Sequence, residues 1–195
     1  MSKAEKTRQF IIEQTAPVFN KKGYAGTSLH DITEATGLTK GGIYGNFINK
    51  DEVALAVFDH NLKKVTDIFE SEMSRCDTVK EKLMVYVKVY SAFSKYPFPQ
   101  GGCPMQNTAI EADDTHPALK KKAADAITDW KNTIKKLIEK GIAKGEITKA
   151  VNPEQEALTI IALIEGMTMI ANLTMKAEYR RSIMASVERT IEALF

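Results

Sequence analysis

Residues 27–50, TSLHDITEATGLTKGGIYGNFINK, constrain the fold more than any other stretch of this chain. They encode two short helices joined by a tight turn. Thr27 or Ser28 opens the first, and Asp31, three residues after Ser28, completes a capping box. Leu29 and Ile32 give that helix an apolar face. Gly37 ends it, because glycine takes the left-handed backbone of a helix stop at little cost. Thr39 caps the second helix, and Ile43 and Phe47 supply the face that packs back on the first. This is the helix-turn-helix plan, whose second helix lies in the major groove of DNA.

Helical periodicity continues on both sides. Residues 3–22 place Ile11, Ile12, Thr15, Val18 and Phe19 on one face, and Pro17 is expected to kink this helix. From residue 51 to about 75, Phe58, Leu62, Val65, Phe69 and Met73 recur at spacings of three and four. Asp77 and Thr78 cap a helix carrying Val79, Leu83, Val87, Tyr90 and Phe93. Two prolines and two glycines make residues 96–102 a loop, and a short helix follows from Pro104 to about Ala112. Asp114 as cap and Pro117 in the first turn start a long helix that runs to about Lys144. Asn152-Pro153 opens another, and a last one follows Ala177-Glu178. Nothing alternates like a strand. The expected fold is all-α: a three-helix head at residues 1–50, then a helical bundle at residues 51–195.

Net charge is only +2 over 195 residues, which excludes a polycation that coats nucleic acid. Residues 1–50 carry +3 and the rest −1. A mildly basic head on a near-neutral body suits a protein whose head alone meets phosphate. Two cysteines, Cys76 and Cys103, make neither a disulfide framework nor a zinc site. Asp113, Asp114 and His116 are spaced for capping rather than for a metal, so no metal and no cofactor are expected. Charges at Lys3, Glu5, Lys6 and Arg8 interrupt any leader-like apolar run, so a cytoplasmic protein is expected.

The string F-x-x-x-G-Y-x-x-T-S-L-x-D-I-x-x-x-T-G-x-x-K-G-x-I-Y-x-x-F-x-x-K-D-E, from Phe19 to Glu52, resembles the DNA-binding head of the TetR family of transcriptional repressors. The resemblance covers residues 3 to about 55. It implies a two-fold dimer on a palindromic double-stranded DNA operator, released when helices behind the head bind a small molecule. Within the motif, Thr27, Ser28 and Thr39 stand at helix N-termini, where hydroxyls and N–H groups favour phosphate. Tyr44 and Lys50 match family positions that commonly touch the DNA backbone. Lys40 can donate to guanine O6/N7 and Asn46 can pair with adenine N6/N7. Gly41 allows close backbone approach, and with Gly42 and Gly45 it leaves the second helix poor in reading side chains.

Beyond the head, Phe93, Tyr96, Phe98, Cys103, Met105, Trp130, Met167 and Met169 are candidates to line a cavity for a small apolar or amphipathic ligand. Cys103, after two glycines and before a helix start, carries the alternative of an electrophile- or redox-responsive regulator. The segment from Ala157 to Met175 is apolar almost all round, but Glu165, Gly166 and Asn172 interrupt it, so no membrane partner is expected. Such a helix must be covered on every face. A homodimer through Ile160, Ile164, Met167, Ile183, Val187 and Ile191 would do this. An enzyme using Cys103 as nucleophile lacks a base among His30, His60 and His116, so no catalytic residue is expected. A ligand-binding module with a vestigial head is the third possibility.

Overall fold

The computed structural model describes residues 2–112 and 115–195. Among them every regular element is helical: α1 Lys3–Gly26, α2 Leu29–Thr36, α3 Lys40–Tyr44, α4 Lys50–Met73, α5 Val79–Ser91, α6 Pro104–Ala112, α7 Pro117–Ala143, α8 Pro153–Thr174 and α9 Ala177–Glu192, with a 3-10 turn at Phe93–Lys95. Packing divides the chain into two compact units. One is Met1–Val65 with Pro99–Ala126; the other is Thr66–Phe98 with Ile127–Phe195. A single cut after residue 50 does not describe this division, because α6 returns in sequence to pack on α1.

Local chemistry sets the helix ends. Ser2 with Glu5, Ser28 with Asp31, and Thr78 with Glu81 form reciprocal capping boxes on α1, α2 and α5. Each cap satisfies N–H groups that the helix leaves open and contributes about 1 kcal/mol. Gly37 stops α2 at φ 67°, and Asn152 with Pro153 starts α8. Asp113 and Asp114, the second of them the expected cap of α7, lie outside the described residues. His116 serves there, its Nδ1 accepting the Leu119 N–H at 3.2 Å. The expected kink at Pro17 falls elsewhere. The non-helical residue inside α1 is Gly23, at φ 72° and ψ 178°, a conformation open almost only to glycine.

In the first unit Ile11, Phe19, Ile32, Ile43, Phe47 and Val53 are buried, which fixes α1, α2, α3 and the start of α4 as one small core. In the second unit Leu83, Tyr86, Ile134, Ile138, Ile160, Ile164, Met167, Met184, Val187 and Ile191 form one cluster. This corrects the interface reading. Ile160, Ile164, Met167, Val187 and Ile191 are sealed inside the protomer, and Ile183 packs against the same cluster half-buried. A helix apolar on all sides does not say in sequence which side faces inward. α8 instead turns Leu158, Ala162, Met169 and Leu173 outward. By length and composition α8 passes for a membrane span, with mean hydropathy 1.6 over 18 residues. Seven of its side chains are buried, Ile160, Ile164 and Met167 among them in the core of the second unit.

Candidate nucleic-acid interface

α3 presents an exposed face made of Thr39, Lys40, Gly41 and Tyr44, while Ile43 anchors its other side in the core. Thr39 Oγ1 accepts the Gly42 N–H at 3.1 Å, so the cap is made by the side chain that also faces solvent. Lys40 Nζ stands 5.9 Å from the centre of the Tyr44 ring, which puts the cation and the phenol on one surface. Ser28 is exposed at the start of α2, its Oγ accepting the Asp31 N–H at 3.1 Å. The Asp31 carboxyl is held well below the usual carboxylate range, first by Lys22 at 2.6 Å and then by the Ser28 backbone and hydroxyl.

Three other expected contacts are occupied within the protomer. Thr27 is fully buried and its Oγ1 donates to the Gly23 carbonyl at 2.6 Å. A phosphate contact through that hydroxyl is therefore corrected, since the group is spent closing α1. Lys50 Nζ donates to the carbonyls of Tyr24 at 2.9 Å and Thr27 at 3.0 Å, and sits 4.0 Å above the Tyr24 ring. A cation over the last carbonyls of a helix satisfies both their open acceptors and the negative end of the dipole. Asn46 Nδ2 turns back to the Gly42 carbonyl at 2.9 Å, so a two-pronged adenine contact requires that bond to be released.

The head is fastened by residues that sequence reasoning missed. Arg8 of α1 donates from Nη1 to the Asn46 carbonyl at 2.6 Å and from Nη2 to Glu52 Oε1 at 2.7 Å, and covers the Phe47 ring at 3.9 Å. Glu52 in turn accepts the Ile48 N–H at 2.7 Å; that bond, then Arg8, lowers its pKa. From α6, Glu111 accepts the N–H groups of Tyr24 at 2.6 Å and Ala25 at 2.5 Å. Gly23 makes this possible: its φ exposes the two amides, and a Cβ there would lie 2.3 Å from Glu111 Oε2. At the other end of α6, Asn20 Nδ2 donates to the Gln100 and Gly102 carbonyls, and Asn107 Nδ2 donates back to the Asn20 and Gly101 carbonyls. Tyr24 O–H donates to Asp51 Oδ1, and that bond, then burial, pushes its pKa up to about 12. His116 meets the Tyr24 ring edge-on at 4.5 Å.

The residues expected to line a ligand cavity fall in both units. Cys103 and Met105 are buried in the first unit, at the start of α6. Phe93, Phe98 and Trp130 pack against the core of the second unit, with Met167 inside it. There Phe93 stacks on Phe98 at 4.1 Å, and Tyr90 lies between Phe98 and Trp130 at 5.8 and 6.3 Å. Tyr96 rests on a smaller cluster of Ile68, Val85 and Val89, and Met169 is half exposed. An open surface cleft of about 440 Å³ in the second unit is lined by Arg75, Cys76, Met84, Val85, Lys88 and Glu188, among others, and none of the expected residues borders it. One of about 30 Å³ in the first unit, beside Asn20, Tyr24 and Glu111, has room for a single water. Of the two cysteines, Cys76 is the more accessible, while Cys103 is buried.

Residues 11–57 match the family described as bacterial regulatory proteins, tetR family, and residues 79–187 match the family described as tetracyclin repressor-like, C-terminal domain. A curated relative, an uncharacterized HTH-type transcriptional regulator in the lacX 3' region of Lactococcus lactis subsp. lactis, is 30% identical over 174 residues, covering 86% of this chain and 84% of its own. Among solved structures, a TetR-family transcriptional regulator from Cytophaga hutchinsonii is 48% identical with a TM-score of 0.95, covering 100% of this chain and 97% of that one. A cysteine mutant of the TetR-family regulator CifR, complexed with 26-bp double-strand operator DNA, shares the fold at 18% identity and a TM-score of 0.78, covering 96% of each chain.

Proposed function

This chain belongs to the TetR family of DNA-binding transcriptional regulators, and we propose that it is a repressor that binds a palindromic operator as a homodimer and leaves it when a small apolar or amphipathic molecule binds. The observation that carries this reading is the exposed face of α3, with Thr39, Lys40, Gly41 and Tyr44 held outward on a capped and ion-paired head. Ser28 and Thr39 are assigned to phosphate, Lys40 to a base edge, and Tyr44 to the DNA backbone. Thr27 and Lys50 act behind them by closing α1. CifR, a protein of the same fold, engages operator DNA.

The homodimer is assigned to the outward stripe of α8, where Leu158, Ala162, Met169 and Leu173 recur at helical spacing. Gly166 lies on the same stripe, and nothing within 4 Å inside the protomer would meet a Cβ there. A missing side chain that internal packing does not require lets a second helix approach closely. The protein is assigned to the cytoplasm, where the DNA is. The test is binding-site selection from random duplexes with purified protein. Repressor function predicts one enriched palindrome, bound with steep salt dependence and lost in Lys40→Ala and Tyr44→Ala. Recovery of no enriched sequence sinks the proposal.

A further inference from the structure

Ile48 is 86% exposed, although the residue before it, Phe47, is buried. Its backbone is nonetheless fixed. The Ile48 N–H is held by Glu52, the Asn46 carbonyl by Arg8, and Arg8 and Glu52 hold each other. A rigid loop therefore presents a branched apolar side chain at the junction of α3 and α4, beside the DNA-facing helix. The polar readers around it are few. Gly41, Gly42 and Gly45 carry no side chain, and the Asn46 amide is turned onto Gly42. Ile48 has no donor or acceptor of its own. Among base edges in the major groove, the apolar group available to such a side chain is the 5-methyl of thymine.

We propose that Ile48 is a specificity-determining residue that packs on the 5-methyl group of one thymine in each operator half-site. The proposal rests on the DNA-binding role of the head and adds a base to what that head reads. Covering one methyl group is worth about fourfold in affinity per half-site, the scale of one buried methylene.

The experiment takes the duplex recovered by selection and replaces thymine with deoxyuridine, one symmetric pair of positions at a time. Binding is measured for wild type, Ile48→Ala and Ile48→Val, with thermal melts to verify folding. Wild type should lose affinity at one position per half-site. Ile48→Ala should start weaker on the thymine duplex and lose nothing further with deoxyuridine, whereas Ile48→Val should keep the dependence. Equal deoxyuridine penalties in wild type and Ile48→Ala overturn the proposal. So does an Ile48→Ala loss of the same factor on selected and random duplexes, which places the side chain against sugar and phosphate. Selection that enriches nothing is a separate failure, of the sequence-reading role of the head, and removes this contact with it.

Discussion

Replacing Gly23 with alanine tests the junction between α1 and the helix-turn-helix. Gly23 sits at φ 72° and ψ 178°, and forcing an L-residue there costs about 2 kcal/mol. The new Cβ would stand 2.3 Å from Glu111 Oε2, so the carboxylate must withdraw from the Tyr24 and Ala25 amides. Charged hydrogen bonds contribute about 1.5–3 kcal/mol each when desolvated. Glu111 is half-buried, so the pair is discounted for water to about 2 kcal/mol together. Gly23→Ala should therefore destabilise by about 4 kcal/mol in urea unfolding. In a Glu111→Ala background the clamp is already gone, and the same substitution should cost only the backbone share, about 2 kcal/mol. Equal costs in both backgrounds, or a single-mutant cost below about 1 kcal/mol, would refute the clamp.

Further outcomes follow from the same geometry. Tyr24 has its pKa raised from 10 to about 12; a folded-state pKa above the unfolded one means that its stabilisation is complete below pH 10 and is lost as pH rises toward 12. Wild type should thus lose melting temperature across that window more steeply than Tyr24→Phe; parallel curves would contradict the Asp51 bond. Asn46→Ala, which removes the bond to Gly42, should cost about 1 kcal/mol of stability and weaken binding, yet select the same operator. A changed base preference would instead make Asn46 a reader. Met169→Asp should convert the dimer to monomer in sedimentation while leaving the fold intact by circular dichroism, because the side chain is half exposed; an unchanged dimer would move the interface off this stripe.

What was legible in the sequence was mainly local. Ser28 with Asp31, Gly37 and Thr39 specify their turns through neighbours three or four residues away, and periodicity gave the helices from residue 51 onward. Contacts between distant segments left no such trace. Glu111 is a plain acidic residue of α6 until the fold brings it to amides 87 and 86 residues earlier, and Arg8 is one of several surface cations until Asn46 and Glu52 meet it. The only hint was Gly23, whose place after Lys21-Lys22 reads as a helix end but says nothing of an anion. Faces were the second loss. α8 is apolar all round, so its inward isoleucines and its outward Leu158, Met169 and Leu173 look alike in sequence. Burial likewise separated Thr27 from Ser28, adjacent hydroxyls with opposite roles.

In the proposed complex two copies of α3 read DNA in the major groove about a two-fold axis. Methylation of guanine N7, which projects into that groove, tests it directly by interference on the selected duplex. Two symmetric clusters of interfering guanines, with centres one helical turn or somewhat more apart, are the predicted result. A single cluster, or interference spread evenly along the duplex, would contradict it.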